Sequence, residues 1–184
     1  MPGPALTSRF SRARGLPRPA YDSWVDSLSA EPGRSARVLA WAPVRPRDGE
    51  DQFCIGSPSV LSAGGASGWG HVGWHVIEHG GWNAELRQLS WALLDGHRGA
   101  VQADDPGRLP ELFRERVEAT IVVKRYVSLA GDRGVLVSAR RDLGAAGTIS
   151  WHTRLTRGLS LATPGIADAV DLALAETRAE YDLR

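Results

Sequence analysis

One short stretch of this chain, between Trp69 and Trp91, is rich in tryptophan, glycine and histidine. Four of the seven tryptophans lie there, interleaved with glycines and β-branched residues. Glycine and β-branched side chains disfavour a helix, whereas β-branched and aromatic side chains are typical of strands. The stretch therefore predicts a strand, a tight turn and a second strand, with Trp74, Ile77 and Trp82 largely buried in a sheet.

The remaining hydrophobic pattern predicts an α+β fold. Apolar residues recur at helical spacing in three segments, and the residues between these segments alternate with the period of two that strands require. Pro43 lies in one such strand and favours an edge position, because proline cannot donate to a ladder. We expect a bent antiparallel sheet with a packed helix, a further three-stranded antiparallel segment and a C-terminal helix. The expected segments are a helix over 21–28, strands within 38–61, a glycine loop over 64–70, a helix from 110, three strands within 121–155 and a helix over 166–181.

Length and charge distribution predict one domain preceded by a tail. The chain has 184 residues with 22 basic and 21 acidic side chains, which suits a single ordinary core. Residues 1–20 hold arginines and prolines but few apolar groups, so we expect a disordered basic tail there and one domain over 21–184. The tail lacks the apolar stretch of a secretory signal, and no run is long enough to span a membrane. With a single cysteine, Cys54, these features indicate a cytoplasmic protein.

The spacing from Trp74 through Ile77 and Gly80 to Trp82 resembles the middle strands of PH-like domains of the bacterial and GRAM type. The helix entry over 105–117 is also similar to that of a family of actinobacterial proteins of uncharacterised function. Together these likenesses cover residues 37–155. The resemblance implies a PH-like fold and implies no activity.

Three histidines spaced four apart, His71, His75 and His79, could chelate zinc if they lay on one helical face. Their glycine-rich and β-branched surroundings indicate a strand instead, where residues four apart lie about 13 Å apart. Ser67 lacks the final glycine of a nucleophile elbow, and Cys54 sits between apolar neighbours as a small buried side chain does. We therefore expect no catalytic residue, no metal site and no cofactor, and a non-enzymatic protein.

The remaining candidates are binding residues. Arginine suits the recognition of phosphates, and exposed tryptophan and arginine dominate protein interfaces. The leading hypothesis is an interaction module whose partner is a protein. The alternative is a nucleic-acid- or ribosome-associated protein that uses its arginine tail and a basic strand face. The candidate residues are Arg9, Arg12, Arg14 and Arg18 in the tail, Arg125, Arg140 and Arg154 on the strands, and Trp69.

Overall fold

The computed structural model describes residues 15–29 and 33–182, which form ten strands and three α-helices. This mixed α+β architecture with antiparallel sheets confirms the predicted class. The chain divides into two compact units. Unit 1 comprises the described residues up to Val117 together with 143–146, and unit 2 comprises 118–142 and the described residues from 147. The division differs from the single domain predicted over 21–184, because unit 2 has a sheet, a helix and a core of its own.

Unit 1 contains a four-stranded antiparallel sheet in chain order. Pro43 lies in the edge strand, as predicted, and a two-residue turn with positive φ at Asp48 (54°) and Gly49 (80°) joins the first two strands. The predicted loop over 64–70 is wrong, because these glycines form a hairpin. A Cβ on Gly64 would lie 2.2 Å from the carbonyl oxygen of Gly68, so close strand approach requires glycine there. The strands are β1 (Ala40–Arg47), β2 (Glu50–Gly56), β3 (Val60–Gly65) and β4 (Gly68–Gly73).

The tryptophan-rich stretch continues from β4 into a second antiparallel sheet of three strands. A single 3₁₀ turn, Trp74–Val76, joins the two sheets. Trp74 and Ile77 are fully buried, as predicted, whereas Trp82 is only partly buried at the margin of the core. The three strands are β5 (Ile77–Asn83), β6 (Gln88–Leu93) and β7 (Arg98–Gln102).

Helix α2 (Leu109–Thr120) covers the core of unit 1. Its Leu109, Leu112 and Phe113 are buried, and the Phe113 ring meets the Trp74 ring edge to face at 5.9 Å between centroids. The sequence predicted this helix and its apolar face.

Helix α1 (Arg18–Ser29) packs on the opposite face of the four-stranded sheet. Trp24 and Leu28 are buried against Phe53 of β2, so both faces of this sheet are covered. The helix begins earlier than predicted, and Leu16 before it is fully buried. The prediction of a disordered tail over 1–20 is therefore wrong for residues 15–20, which the burial of Leu16 ties to the core. Residues 1–14 lie outside the described residues.

Unit 2 consists of three antiparallel strands and a C-terminal helix, as predicted. The helix buries Ile166, Val170 and Ala173 against Val135 and Val137 of the central strand. Among the described residues, none of the helices has an apolar stretch long enough to cross a membrane. The elements are β8 (Ile121–Ala130), β9 (Arg133–Arg141), β10 (Ile149–Leu155) and α3 (Ile166–Asp182), with β9 in the middle of the sheet.

Candidate binding surface

The charges of unit 2 are segregated between its sheet and its helix. The three strands carry no aspartate or glutamate, whereas α3 carries five exposed carboxylates. Because all carboxylates of these four elements are on the helix, the sheet has a uniformly positive character. The cations of the strands are Lys124, Arg125, Arg133, Arg140, Arg141 and Arg154.

One face of the sheet packs on α3, and Arg125 and Trp151 of this face contact side chains of that helix. Arg125 pairs with Val137 across the strands and therefore points to the buried face, where it forms an ion pair with Glu180 at 2.6 Å. The hydrogen bond and the charge of Glu180 raise the pKa of Arg125. Trp151 meets Tyr181 edge to face at 5.9 Å. This face is occupied within unit 2.

We call the opposite face of the sheet the cationic face. The strand register determines which residues lie on it. Tyr126, Leu136 and Arg154 form one row across the three strands, and a second row lies two residues further along. Lys124, Tyr126 and Arg154 are exposed on this face, whereas the residues of the central strand are half-buried or buried. The cationic face comprises Lys124, Tyr126, Leu136, Ser138, Arg140, Ser150, His152 and Arg154.

The tip of the Tyr126 side chain is held against the backbone of the neighbouring strand. A Cβ on Gly134 would lie 2.9 Å from both Cζ and Oη of Tyr126, so the ring passes directly over this glycine. The Tyr126 hydroxyl donates a hydrogen bond to the carbonyl oxygen of Asp132 at 2.7 Å. The side chain thus extends across the sheet to Gly134 and Asp132, and it remains 48% exposed.

The sequence left open whether Arg125, Arg140 and Arg154 share a face, and the strand register divides them between the two faces of the sheet. Arg125 lies on the opposite face from the other two, because it is next to Tyr126, which is in the row of Arg154, whereas Arg140 is four residues from Leu136 of the same row. Arg140 shares a face with Arg154 but is 6% exposed, and its guanidinium donates to the Thr120 hydroxyl at 3.2 Å. Of the three, only Arg154 is exposed on the cationic face.

Sequence reasoning missed Lys124 and Tyr126 as members of one surface. The alternation of exposed and half-buried residues along β8 separates them from Arg125 between them. The sequence shows that alternate residues of β8 lie on opposite faces of the sheet. It does not show which of the two faces is covered, because the covering helix α3 is far away in the sequence.

The other predicted binding residues do not join this surface. The Trp69 indole donates from Nε1 to the Ser23 hydroxyl at 2.9 Å and packs beneath α1, so this ring is bound within unit 1. Arg18 is in the first turn of α1 and pairs with Asp22 at 3.5 Å. Arg9, Arg12 and Arg14 fall outside the described residues.

The three histidines have different surroundings. His71 is on β4, and its ring nitrogens bond to serine hydroxyls, Nδ1 to Ser62 at 2.9 Å and Nε2 to Ser27 at 3.0 Å. His75 lies in the 3₁₀ turn and His79 on β5. Within the described residues, no group of three or more histidine, cysteine, aspartate or glutamate side chains could hold a metal ion.

The hydrogen bonds around His71 form one connected network that includes α1. Trp24 donates from Nε1 to the Ser62 hydroxyl at 3.0 Å, and the Ser27 hydroxyl donates to the carbonyl oxygen of Trp24 at 2.7 Å. Ser62 is fully buried. The network fastens α1 to β3 and β4, which gives His71 a structural role.

The two nucleophiles considered from the sequence lie in different surroundings. Cys54 is fully buried in the core of unit 1, and burial raises the pKa of its thiol to about 12. Ser67 lies in the turn of the β3–β4 hairpin. A protonated, buried thiol is a poor nucleophile, so Cys54 acts as a small apolar side chain.

Comparison of the chain with protein-family models, with curated proteins and with solved structures finds no match.

Proposed function

We propose that this protein is a non-enzymatic interaction module that holds an anionic partner on the cationic face of unit 2. The observation that carries the proposal is the charge pattern of that sheet, in which exposed Lys124 and Arg154 flank an exposed aromatic ring and the strands contain no carboxylate. Arginine and aromatic side chains provide most of the binding energy at interfaces. The face therefore offers recognition groups for a partner of negative charge.

Unit 1 supports the proposal as a scaffold of PH-like type. Its four-stranded sheet is followed by a three-stranded sheet and then by a helix that covers the shared core, and this arrangement supports the proposed scaffold. Folds of this kind serve in many binding proteins, so the likeness supports an interaction role in general and no particular ligand.

The second candidate is association with nucleic acid or with the ribosome. The sequence predicted this role from the arginine tail and a basic strand face. The cationic face does not include Arg125, which was one of the candidate residues from the sequence. It is nevertheless positively charged, as contacts with phosphates require. An acidic protein segment and a nucleic acid both fit the proposal of an anionic partner.

Charge reversal at Lys124 tests the proposal. We expect the full chain to be retained on a heparin column at about 50 mM salt and to elute at lower salt after Lys124→Glu, because the substitution places a carboxylate in the middle of the contact. Arg114→Glu is the matched control, since Arg114 is an exposed cation of α2 in unit 1 and its reversal changes net charge equally.

Two results would contradict the proposal. The first is a chain that passes through the heparin column at low salt. The second is an equal decrease in eluting salt for the Lys124 and Arg114 variants, which would mean that net charge alone determines retention.

A further inference from the structure

We infer that the partner of the cationic face is a single-stranded nucleic acid, with one base stacked on Tyr126 and the neighbouring phosphates beside Lys124 and Arg154. The inference rests on the proposed function and adds the class of the partner. Proteins that bind single strands combine aromatic rings, on which bases stack, with cations that follow the phosphate backbone.

The setting of Tyr126 favours stacking over other uses of an exposed ring. The bond from its hydroxyl to the Asp132 carbonyl and its contact with Gly134 hold the ring along the sheet surface, and 48% of the side chain is exposed. A ring that is already fixed loses little conformational freedom when a base covers it. A ring that is held along the sheet surface by a hydrogen bond does not project from it, as insertion into a lipid layer would require.

The cations lie at distances that suit the backbone of a strand stacked on this ring. Lys124 is two residues from Tyr126 along β8, which corresponds to about 7 Å between Cα atoms. Arg154 is in the same row as Tyr126, two strands away, which corresponds to roughly 10 Å. Positive charge therefore flanks the ring both along the strand and across the sheet.

The same geometry favours an unpaired strand over a duplex. Stacking on a protein ring needs a base whose face is free, and bases inside a double helix are covered on both sides. The carboxylates of an acidic peptide would contact Lys124 and Arg154. They would not stack on the Tyr126 ring. Stacking on Tyr126 is thus the interaction that distinguishes a single strand from a duplex and from an acidic peptide.

Binding of fluorescent oligomers to the full chain tests the inference. The probes are an oligothymidine of about twelve nucleotides and an abasic oligomer of the same length, which has the phosphates but no bases. We expect tighter binding of oligothymidine, and we expect Tyr126→Ala to weaken it about 5- to 150-fold, the usual effect of removing one stacked ring. Tyr126→Phe keeps the ring and should retain most of the affinity. Lys124→Gln should lower the salt dependence by about 0.7, the value for one phosphate contact on a single strand.

The controls separate a failure of this inference from a failure of the proposed function. If the abasic oligomer binds as tightly as oligothymidine and Tyr126→Ala changes neither, stacking is refuted while anion binding stands. Preferential binding of polyglutamate, or of vesicles that contain phosphatidylserine, over oligothymidine would also refute the inference and identify the other class of partner. If none of these anions binds at about 50 mM salt, both proposals fail.

Chemical labelling gives a second readout that does not depend on any variant. Lys124 is the only lysine of the chain, so an amine-reactive label modifies the cationic face and otherwise only the chain's amino terminus. Bound oligothymidine should slow the labelling of Lys124, and the abasic oligomer should slow it less. Labelling at an unchanged rate under saturating oligothymidine would place the contact elsewhere.

Discussion

Replacement of Ser62 by alanine should loosen the attachment of α1 to the sheet of unit 1. The Ser62 hydroxyl accepts a hydrogen bond from Nε1 of Trp24, and both residues are fully buried. Ser62→Ala leaves the indole N–H without a partner in a place that water does not reach. An unsatisfied buried donor costs about 1–3 kcal/mol, and we expect a loss of unfolding free energy in that range. The half-buried His71 ring also loses a partner, but it can bond to water instead.

The chain contains a matched control for this substitution. Ser59 is equally buried, but its hydroxyl has no hydrogen-bond partner among the described residues. Ser59→Ala should therefore be neutral or stabilising. A double-mutant cycle with Trp24→Phe isolates the bond, because phenylalanine removes the donor. The Ser62 substitution should cost at least about 1 kcal/mol less in that background.

Urea unfolding followed by circular dichroism measures the global effect, and hydrogen exchange of the α1 amides measures the local one. The exchange measurement is needed because a chain with two units does not have to unfold in one step. If Ser62→Ala and Ser59→Ala change stability equally, or if the cycle shows no coupling, the bond to Trp24 does not hold α1 in place.

Three further outcomes are expected. Leu16→Ala should cost about 2–5 kcal/mol of unfolding free energy, measured in urea, because Leu16 is fully buried before α1; a neutral effect would restore the view that residues 15–20 belong to a tail. Cys54 should resist a thiol reagent in the folded protein at pH 8 and react after unfolding, because its pKa of about 12 keeps the buried thiol protonated; fast reaction of the native chain would contradict this. Zinc titration should reveal no stoichiometric site that His75→Ala removes, since both ring nitrogens of His71 already bond to serines and His79 lies on another strand.

The helices were predictable from the sequence because their apolar residues repeat at helical spacing. Trp24 and Leu28 in α1, and Leu112 and Phe113 in α2, lie on faces that the pattern alone defines. The β3–β4 hairpin was not predictable, since Gly64 has no side chain with which to show a period. Position 64 requires glycine because the backbone at Gly68 approaches too closely for a Cβ atom.

The candidate surface was predictable in composition but not in arrangement. The lack of carboxylates in β8, β9 and β10 can be counted in the sequence, whereas the face of each cation depends on register. Register is set by contacts such as those of Val137 with α3, and β8 has an irregularity between Ile121 and Val123 that shifts the pairing at its start. For this reason the sequence left open whether Arg125 shares a face with Arg154, and in the structure the ion pair with Glu180 holds Arg125 on the opposite face.

The separation of charge in unit 2 also affects how a partner arrives. With five carboxylates and one arginine, Arg178, on α3 and six cations on the strands, the unit has an electric dipole directed from helix to sheet. A polyanion that diffuses towards the helix side is repelled, and one that approaches the sheet is attracted, so encounters are oriented before any contact forms. If the proposed complex forms, its association rate should fall steeply as ionic strength rises, while its dissociation rate, set by the proposed short-range contacts at Tyr126, should change much less.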